Sequence, residues 1–338
     1  GYGISQVLRL AANLILTRLL FPEAFGMMAL VTVFMQGLMM FSDIGIGPSI
    51  MQSKRGDDPD FLNTAWTIQV IRGFCLWLVA CVIAIPISRF YGEPQLAELI
   101  PAVGLGLLIT GFNPTRLETG HRHMHLGRIS FIQIIAQFIG VIAAIFLAYT
   151  TGSVWAFVIS GIIGTLIYLA LLNIYLPGAR NHFRWEKTAV KELITYGKWI
   201  FLSTVSGFLF MQSDKLILGK FLTIEALGVY NVGYFLASFP LLLSTTVIHK
   251  ILIPLYRERP PAASVENYQN LRKMRFFVSA SILSLLMVFA FFGASLINIL
   301  YDVRYQNAGA IVVLTALSLI HIYEPTRQDT RSRMPSSA

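Results

Sequence analysis

Four charged side chains interrupt otherwise apolar runs of this 338-residue chain: Arg9, Asp43, Arg72 and Asp214, the last followed directly by Lys215. An ionisable group inside a long apolar segment carries a burial cost that something must compensate, so each is a candidate for function. Arginine offers a planar fork of donors that matches phosphate, and a diphosphate crossing hydrocarbon needs such a partner. A buried carboxylate can hold a coupling cation or a proton instead. Arg9 falls about eleven residues before the end of its apolar run, roughly 16 Å deep at helical rise. That depth makes it the first candidate ligand for phosphate or glycan. Pairing with a carboxylate or carbonyl of a neighbouring helix is the structural alternative.

Asp43 and Arg72 stand at similar distances on either side of the polar link SKRGDDPD (53–60), which puts them level on adjacent antiparallel helices. The two could form an ion pair that simply holds the hairpin together, or one that opens to offer Arg72 to phosphate. Gly45, Gly47 and Pro48 follow Asp43 and mark a bending point. Asp214 could bind a coupling cation or proton, or pair locally with Lys215 or Lys220.

Other chemistry is poorly supported. His121, His123 and His125 alternate in a basic link, but no cysteine or carboxylate cluster completes a four-ligand zinc site, so they read as solvated loop histidines. Cys75 and Cys81 lie six residues apart in one apolar run, where they point in different directions and cannot bridge. No phosphate-binding loop, HExxH or nucleophile elbow occurs. An enzyme is therefore not expected, nor is a cofactor or metal.

These residues sit in a chain that is 55% hydrophobic and only 13% charged. Soluble domains average about a quarter charged residues. A lipid-embedded surface accounts for the shortage, and a spanning helix needs about 20 apolar residues. On that rule helices are expected near 4–20, 27–52, 62–88, 96–114, 129–150, 154–177, 198–220, 228–252, 274–300 and an incomplete 308–320. The net charge of +9 sits in the links between them, the pattern of cytoplasmic loops and not of a nucleic-acid partner. Alternate links are rich in bases (Lys54 and Arg55; Arg116, Arg122 and Arg128; Arg180 and Arg184) and poor in them (Arg18, Arg89, Lys220, Arg304). The chain then begins on the cytoplasmic side. Residues 181–197 mix Phe183, Trp185, Leu193 and Ile194 with bases and read either as a short interfacial helix or as a solvated linker.

The segment LILTRLLFPEAFG (14–26) returns 202 positions later as LILGKFLTIEALG (216–228), with eight of thirteen positions identical or like-charged. Six expected helices separate the copies, so both cross in the same sense. That predicts two halves related by an axis along the membrane normal.

The stretches SQVLRLAANLILTRLLFPEAFG (5–26), FSDIGIGPSIMQ (41–52), RGDDPDFLNTAW (55–66), RFYGEPQLAELI (89–100), GSVWAFVISGIIG (152–164) and QSDKLILGKFLTIEALGVYNVGY (212–234) resemble one family. It is the Wzx-type lipid-linked oligosaccharide flippases of the multidrug/oligosaccharidyl-lipid/polysaccharide superfamily. The resemblance implies an all-α polytopic transporter of two six-helix lobes, of which about ten helices are present here. The expected organisation is a first lobe at 1–177, a cytoplasmic linker at 178–197 and a partial second lobe at 198–317. The tail 318–338 is similar to translated sequencing-adapter read-through. The implied activity is movement of polyprenyl-diphosphate-linked oligosaccharide from the cytoplasmic to the outer leaflet of the bacterial inner membrane, for exopolysaccharide or O-antigen. Arg9 and Arg72 would bind substrate, with Asp43, Asp214 and Lys215 as coupling or structural ions. The expected partners are the lipid-linked glycan and membrane lipids; a glycan polymerase or glycosyltransferase partner is left open. The alternatives are a drug/cation antiporter or peptidoglycan-precursor flippase of the same superfamily, and a membrane-embedded glycan polymerase or ligase.

Overall fold

The computed structural model describes residues 2–43, 45–248, 252–261 and 263–323, and among them every regular element is helical. By internal contacts the chain separates into two compact units, Gly1–Gly228 and Val229–Ala338. Among the described residues, five helices are long and apolar enough to cross a membrane, or six if one bent pair is counted as a span.

The first unit opens with α1 (Tyr2–Leu19) and α2 (Pro22–Phe41). Polar residues such as Gln6, Arg9, Asn13 and Arg18 dilute the apolar character of α1. α2 starts on Pro22, whose missing N–H would have had no partner in the first turn anyway. The single helix expected over 27–52 is in fact two. α2 ends at Phe41, and the chain resumes as α3 (Ile46–Gln52). The break has a local cause. Asp43 Oδ1 accepts from the Gly45 N–H at 2.8 Å, a turn that competes with the helical ladder. Gly45 then takes φ 66°, a left-handed conformation that a side chain would resist.

α4 (Pro59–Tyr91) is capped by Asp58, whose carboxylate accepts from the Asp60 N–H at 3.0 Å. It packs closely on α5 (Leu96–Gly111), where a Cβ on Gly73 would meet the Leu107 carbonyl at 2.9 Å. The chain bends by 63° into α6 (Arg116–Arg122). Pro114 lies in that bend and has no N–H to continue the helix. Gln69 of α4 satisfies the carbonyls thereby freed, its Nε2 donating to Thr110 and Asn113 at 3.2 and 3.3 Å. α7 (Leu126–Thr151) and α8 (Trp155–Tyr175) form a second hairpin.

The linker forms no separate helix. Residues 177–186 run without regular structure, and α9 (Lys187–Phe221) is continuous for 35 residues. Ala189 and Leu193 pack into a buried cluster with Ile46, Ile50, Phe61 and Ala65, so apolar burial against α3 and α4 fixes the first turns of α9. The side chains of residues 194–203, including Lys198, lie outside the described set.

The two copies of the repeat touch each other. A Cβ on Gly26 would collide with the Ile224 carbonyl, and one on Gly228 with the Pro22 carbonyl. The contact is reciprocal, each copy's last glycine packing on the backbone of the other copy.

α10 (Ile224–Ala237), whose first residues belong to the first unit, and α11 (Phe239–Val247) of the second replace the one helix expected at 228–252. A short α12 (Ile253–Glu258) precedes the hairpin of α13 (Val265–Leu300) and α14 (Ala308–Tyr323). That hairpin closes through Gly293 against Val312 and Gly309 against Ala294. α14 continues past residue 318 to Tyr323; residues 324–338 lie outside the described set.

Candidate functional site

The break between α2 and α3 places Asp43 beside α4, and Arg72 Nη1 approaches its Oδ1 at 3.7 Å. The pair expected from depth counting exists, and it is loose. The distance is long for a charge-assisted hydrogen bond. The Arg72 side chain is 26% exposed and that of Asp43 47%. Both line a cavity of about 420 Å³ walled by α2 to α6, with Gln69, Gly73, Thr110, Asn113 and Glu118.

Two of these walls were not foreseen. Glu118 belongs to α6, in a stretch expected to be a solvated loop, and its carboxylate packs over Gly47. Asn113 sits in the α5–α6 bend, with Oδ1 buried and without a hydrogen-bond partner. One signal in the sequence pointed to Glu118: it is the lone acid in the basic stretch RLETGHRHMHLGR (116–128).

A second cavity, of about 560 Å³, lies among α5, α7 and α8. It shares Thr110 and Asn113 with the first, and adds Gln133, Gln137, Ser160 and Tyr168. Gln137 also ties α7 to α1, donating to the Ser5 carbonyl at 3.0 Å. The described lining of this second cavity carries no formal charge.

The other predicted residues are not gathered there. Arg9 lies on an exposed face of α1 and lines neither cavity. Asp214 and Lys215 sit side by side, partly buried, on α9 and interact electrostatically. Nearby, Gln212 Nε2 donates to Gln36 Oε1 of α2 at 2.9 Å.

The basic links form a clasp of their own. Arg55 divides its fork between Asp58 and Glu186, each at 2.8 Å. Its hydrogen bonds hold both carboxyls below the usual carboxylate range. Arg122 Nη1 donates to the Ile50 and Ser53 carbonyls at 2.9 and 2.7 Å, closing the end of α3. Arg116 does the same for α8 through the Leu176 carbonyl at 2.9 Å. His123 reaches Asp57 at 2.9 Å, and among the described residues no cluster could hold a metal ion.

The chain is similar to several known proteins. A family model described as "Polysaccharide biosynthesis protein" matches residues 15–310. The teichuronic acid biosynthesis protein TuaB of Bacillus subtilis is 22% identical over 259 residues, covering 75% of this chain and 52% of TuaB. The lipopolysaccharide biosynthesis protein WzxC of Escherichia coli is 21% identical over 307 residues, covering 88% of this chain and 58% of WzxC. The chain thus spans about half the length of these relatives. Among solved structures, an inward-facing multidrug resistance MATE family transporter of the MOP superfamily superposes with a TM-score of 0.64 at 14% identity, over 94% of this chain and 78% of that one. At that identity the likeness shows the fold alone, an all-α fold.

Proposed function

The chain belongs to the polysaccharide biosynthesis protein family, and on that premise we propose that it serves to flip polyprenyl-diphosphate-linked oligosaccharide from the cytoplasmic to the outer leaflet of the bacterial inner membrane. Its basic links face the cytoplasm in this reading, and the two copies of the repeat open two lobes. The observation that carries it is Arg72, loosely paired at a helix break and lining a cavity between helices. A guanidinium in that position can exchange a carboxylate for a diphosphate with little rearrangement. The names of TuaB and WzxC speak of teichuronic acid and lipopolysaccharide, both glycans, and a lipid-linked glycan is the cargo that fits such names. Transport requires no covalent step.

A cationic cargo is the second reading, and one feature favours it: the cavity has two carboxylates, Asp43 and Glu118, against one guanidinium. Ligand-dependent thermal stabilisation of the purified chain separates the two, because only a ligand that binds the folded state raises its melting temperature. Polyprenyl-diphosphate-linked glycan should stabilise the wild type and not Arg72→Ala. Stabilisation by cationic drugs alone would contradict the glycan reading.

A further inference from the structure

The groove among α5, α7 and α8 differs in chemistry from the cavity beside Arg72. Its volume of about 560 Å³ lies in the range of small-molecule sites. Its described lining has no formal charge, yet half of that lining is polar. Three hydroxyls in it spend their one hydrogen inside their own helices. Thr110 donates to the Leu107 carbonyl at 2.9 Å, Ser160 to Phe157 at 3.2 Å and Thr165 to Gly161 at 2.8 Å. Their oxygen lone pairs remain for another partner. Asn113 Oδ1 is a further acceptor, buried without a donor. The amide of Gln137 is committed to α1, donating to the Ser5 carbonyl and accepting from the Ser5 hydroxyl. The groove therefore offers acceptors without a charge to pair with an ion. An ion would lose its hydration there uncompensated, and a hydrocarbon chain would leave the acceptors unpaired. A neutral ligand dense in hydroxyl groups meets both demands. Gly140, Gly161 and Gly164 keep part of the wall free of side chains, so a ring can approach the backbone.

We propose that this groove holds the sugar joined directly to the diphosphate, and that it selects an uncharged, hydroxyl-rich sugar over a uronic acid. The proposal rests on the diphosphate reading above. Thr110 and Asn113 stand in the walls of both cavities, so a phosphate at Arg72 and a ring in the groove are neighbours, as they are in such a lipid. Asn113 is the junction: its Oδ1 accepts from a sugar hydroxyl beside the phosphate. The exposed Gln133 amide adds both a donor and an acceptor from α7. Selection is by repulsion as much as by attraction. A sugar carboxylate would enter a space lined by lone pairs, with no cation among the described lining to receive it.

The test compares three probes on the full chain in lipid nanodiscs: undecaprenyl diphosphate, the same lipid carrying one glucose, and the same lipid carrying one glucuronic acid. Glucose should tighten binding about tenfold over the bare lipid diphosphate, the worth of one or two net hydrogen bonds. Glucuronic acid should add nothing. Gln133→Leu and Thr165→Val, which line the groove alone, should each lower the glucose increment by about two- to fivefold. Neither should change the affinity for the bare lipid diphosphate. Equal increments from glucose and glucuronic acid, or a glucose increment untouched by both substitutions, overturn the proposal. Position is read with a diazirine on the glucose ring and mass spectrometry of the labelled peptides, and labels on α7 and α8 are expected. Such labels, in a chain whose Arg72→Ala variant binds the bare lipid diphosphate as the wild type does, keep the groove and sink the diphosphate reading. Labels confined to other helices, while Arg72→Ala weakens the bare lipid diphosphate, sink the groove and keep that reading.

Discussion

Arg72 touches Asp43 through one nitrogen at 3.7 Å, and no hydrogen bond from a described residue occupies the rest of its fork. Charge-assisted hydrogen bonds contribute about 1.5–3 kcal/mol each, so Arg72→Ala should weaken binding of a diphosphate ligand by about ten- to a hundredfold. Arg72→Lys should recover only part of this, because an ammonium cannot bind two oxygens in a planar fork. Calorimetric titration of the chain in nanodiscs measures both. Arg9 belongs to a separate experiment, since it lines neither cavity; Arg9→Ala in the complete gene should lose surface glycan if α1 contributes to the cargo path. The Asp43–Arg72 pair was legible in the sequence because depth on two antiparallel helices can be counted from the link that joins them. Glu118 and Asn113 were not. Their positions depend on the 63° bend at Pro114, which ends the helix expected over 96–114 early and turns Glu118, in an expected loop, back against α3.

The same contrast holds for the elements. Each of the ten expected apolar segments holds at least one helix, because twenty-residue apolar runs leave little choice in lipid. The breaks were harder to read. Gly45 and its neighbours signalled bending, but whether α2 merely curves or stops depended on the Asp43 side chain binding the Gly45 N–H. Gly45→Ala forces a side chain into φ 66° and should cost roughly 1–2 kcal/mol of stability; a lowered melting temperature checks this. The pattern of the linker, with Phe183, Trp185, Leu193 and Ile194 among bases, allows either an interfacial helix or a solvated linker; Phe183 and Trp185 are exposed. What its pattern did not reveal is that Ala189 and Leu193 complete a core with Ile50 and Phe61, which makes the segment part of α9. The Arg55 clasp gives this region a pH dependence. Asp58 and Glu186 have folded values below their unfolded ones, so their contribution is full above the usual carboxylate pKa near 4 and is lost as pH falls through the lower folded values. Limited proteolysis between residues 177 and 187 should therefore accelerate in acid, and Arg55→Ala should remove that dependence.

At the scale of the whole molecule the repeat read in the sequence has a direct counterpart in a contact. Its two copies were visible as text and meet in space at Gly26 and Gly228, where neither tolerates a Cβ without displacement. Gly26→Leu should destabilise the protein by about 1–3 kcal/mol, as overpacking does, and Gly228→Leu by a similar amount, since the contact is reciprocal; thermal melts of the two should agree. The central claim is that Arg72 of α4, beside the α2–α3 break, serves to move a glycan-bearing diphosphate across the membrane. The most direct measurement places the chain in its complete gene in cells lacking their own exporter and scores surface glycan alongside the amount of protein in the membrane. Arg72→Ala should leave the protein in the membrane and abolish surface glycan, with Arg72→Lys intermediate. Normal surface glycan from Arg72→Ala would contradict the account.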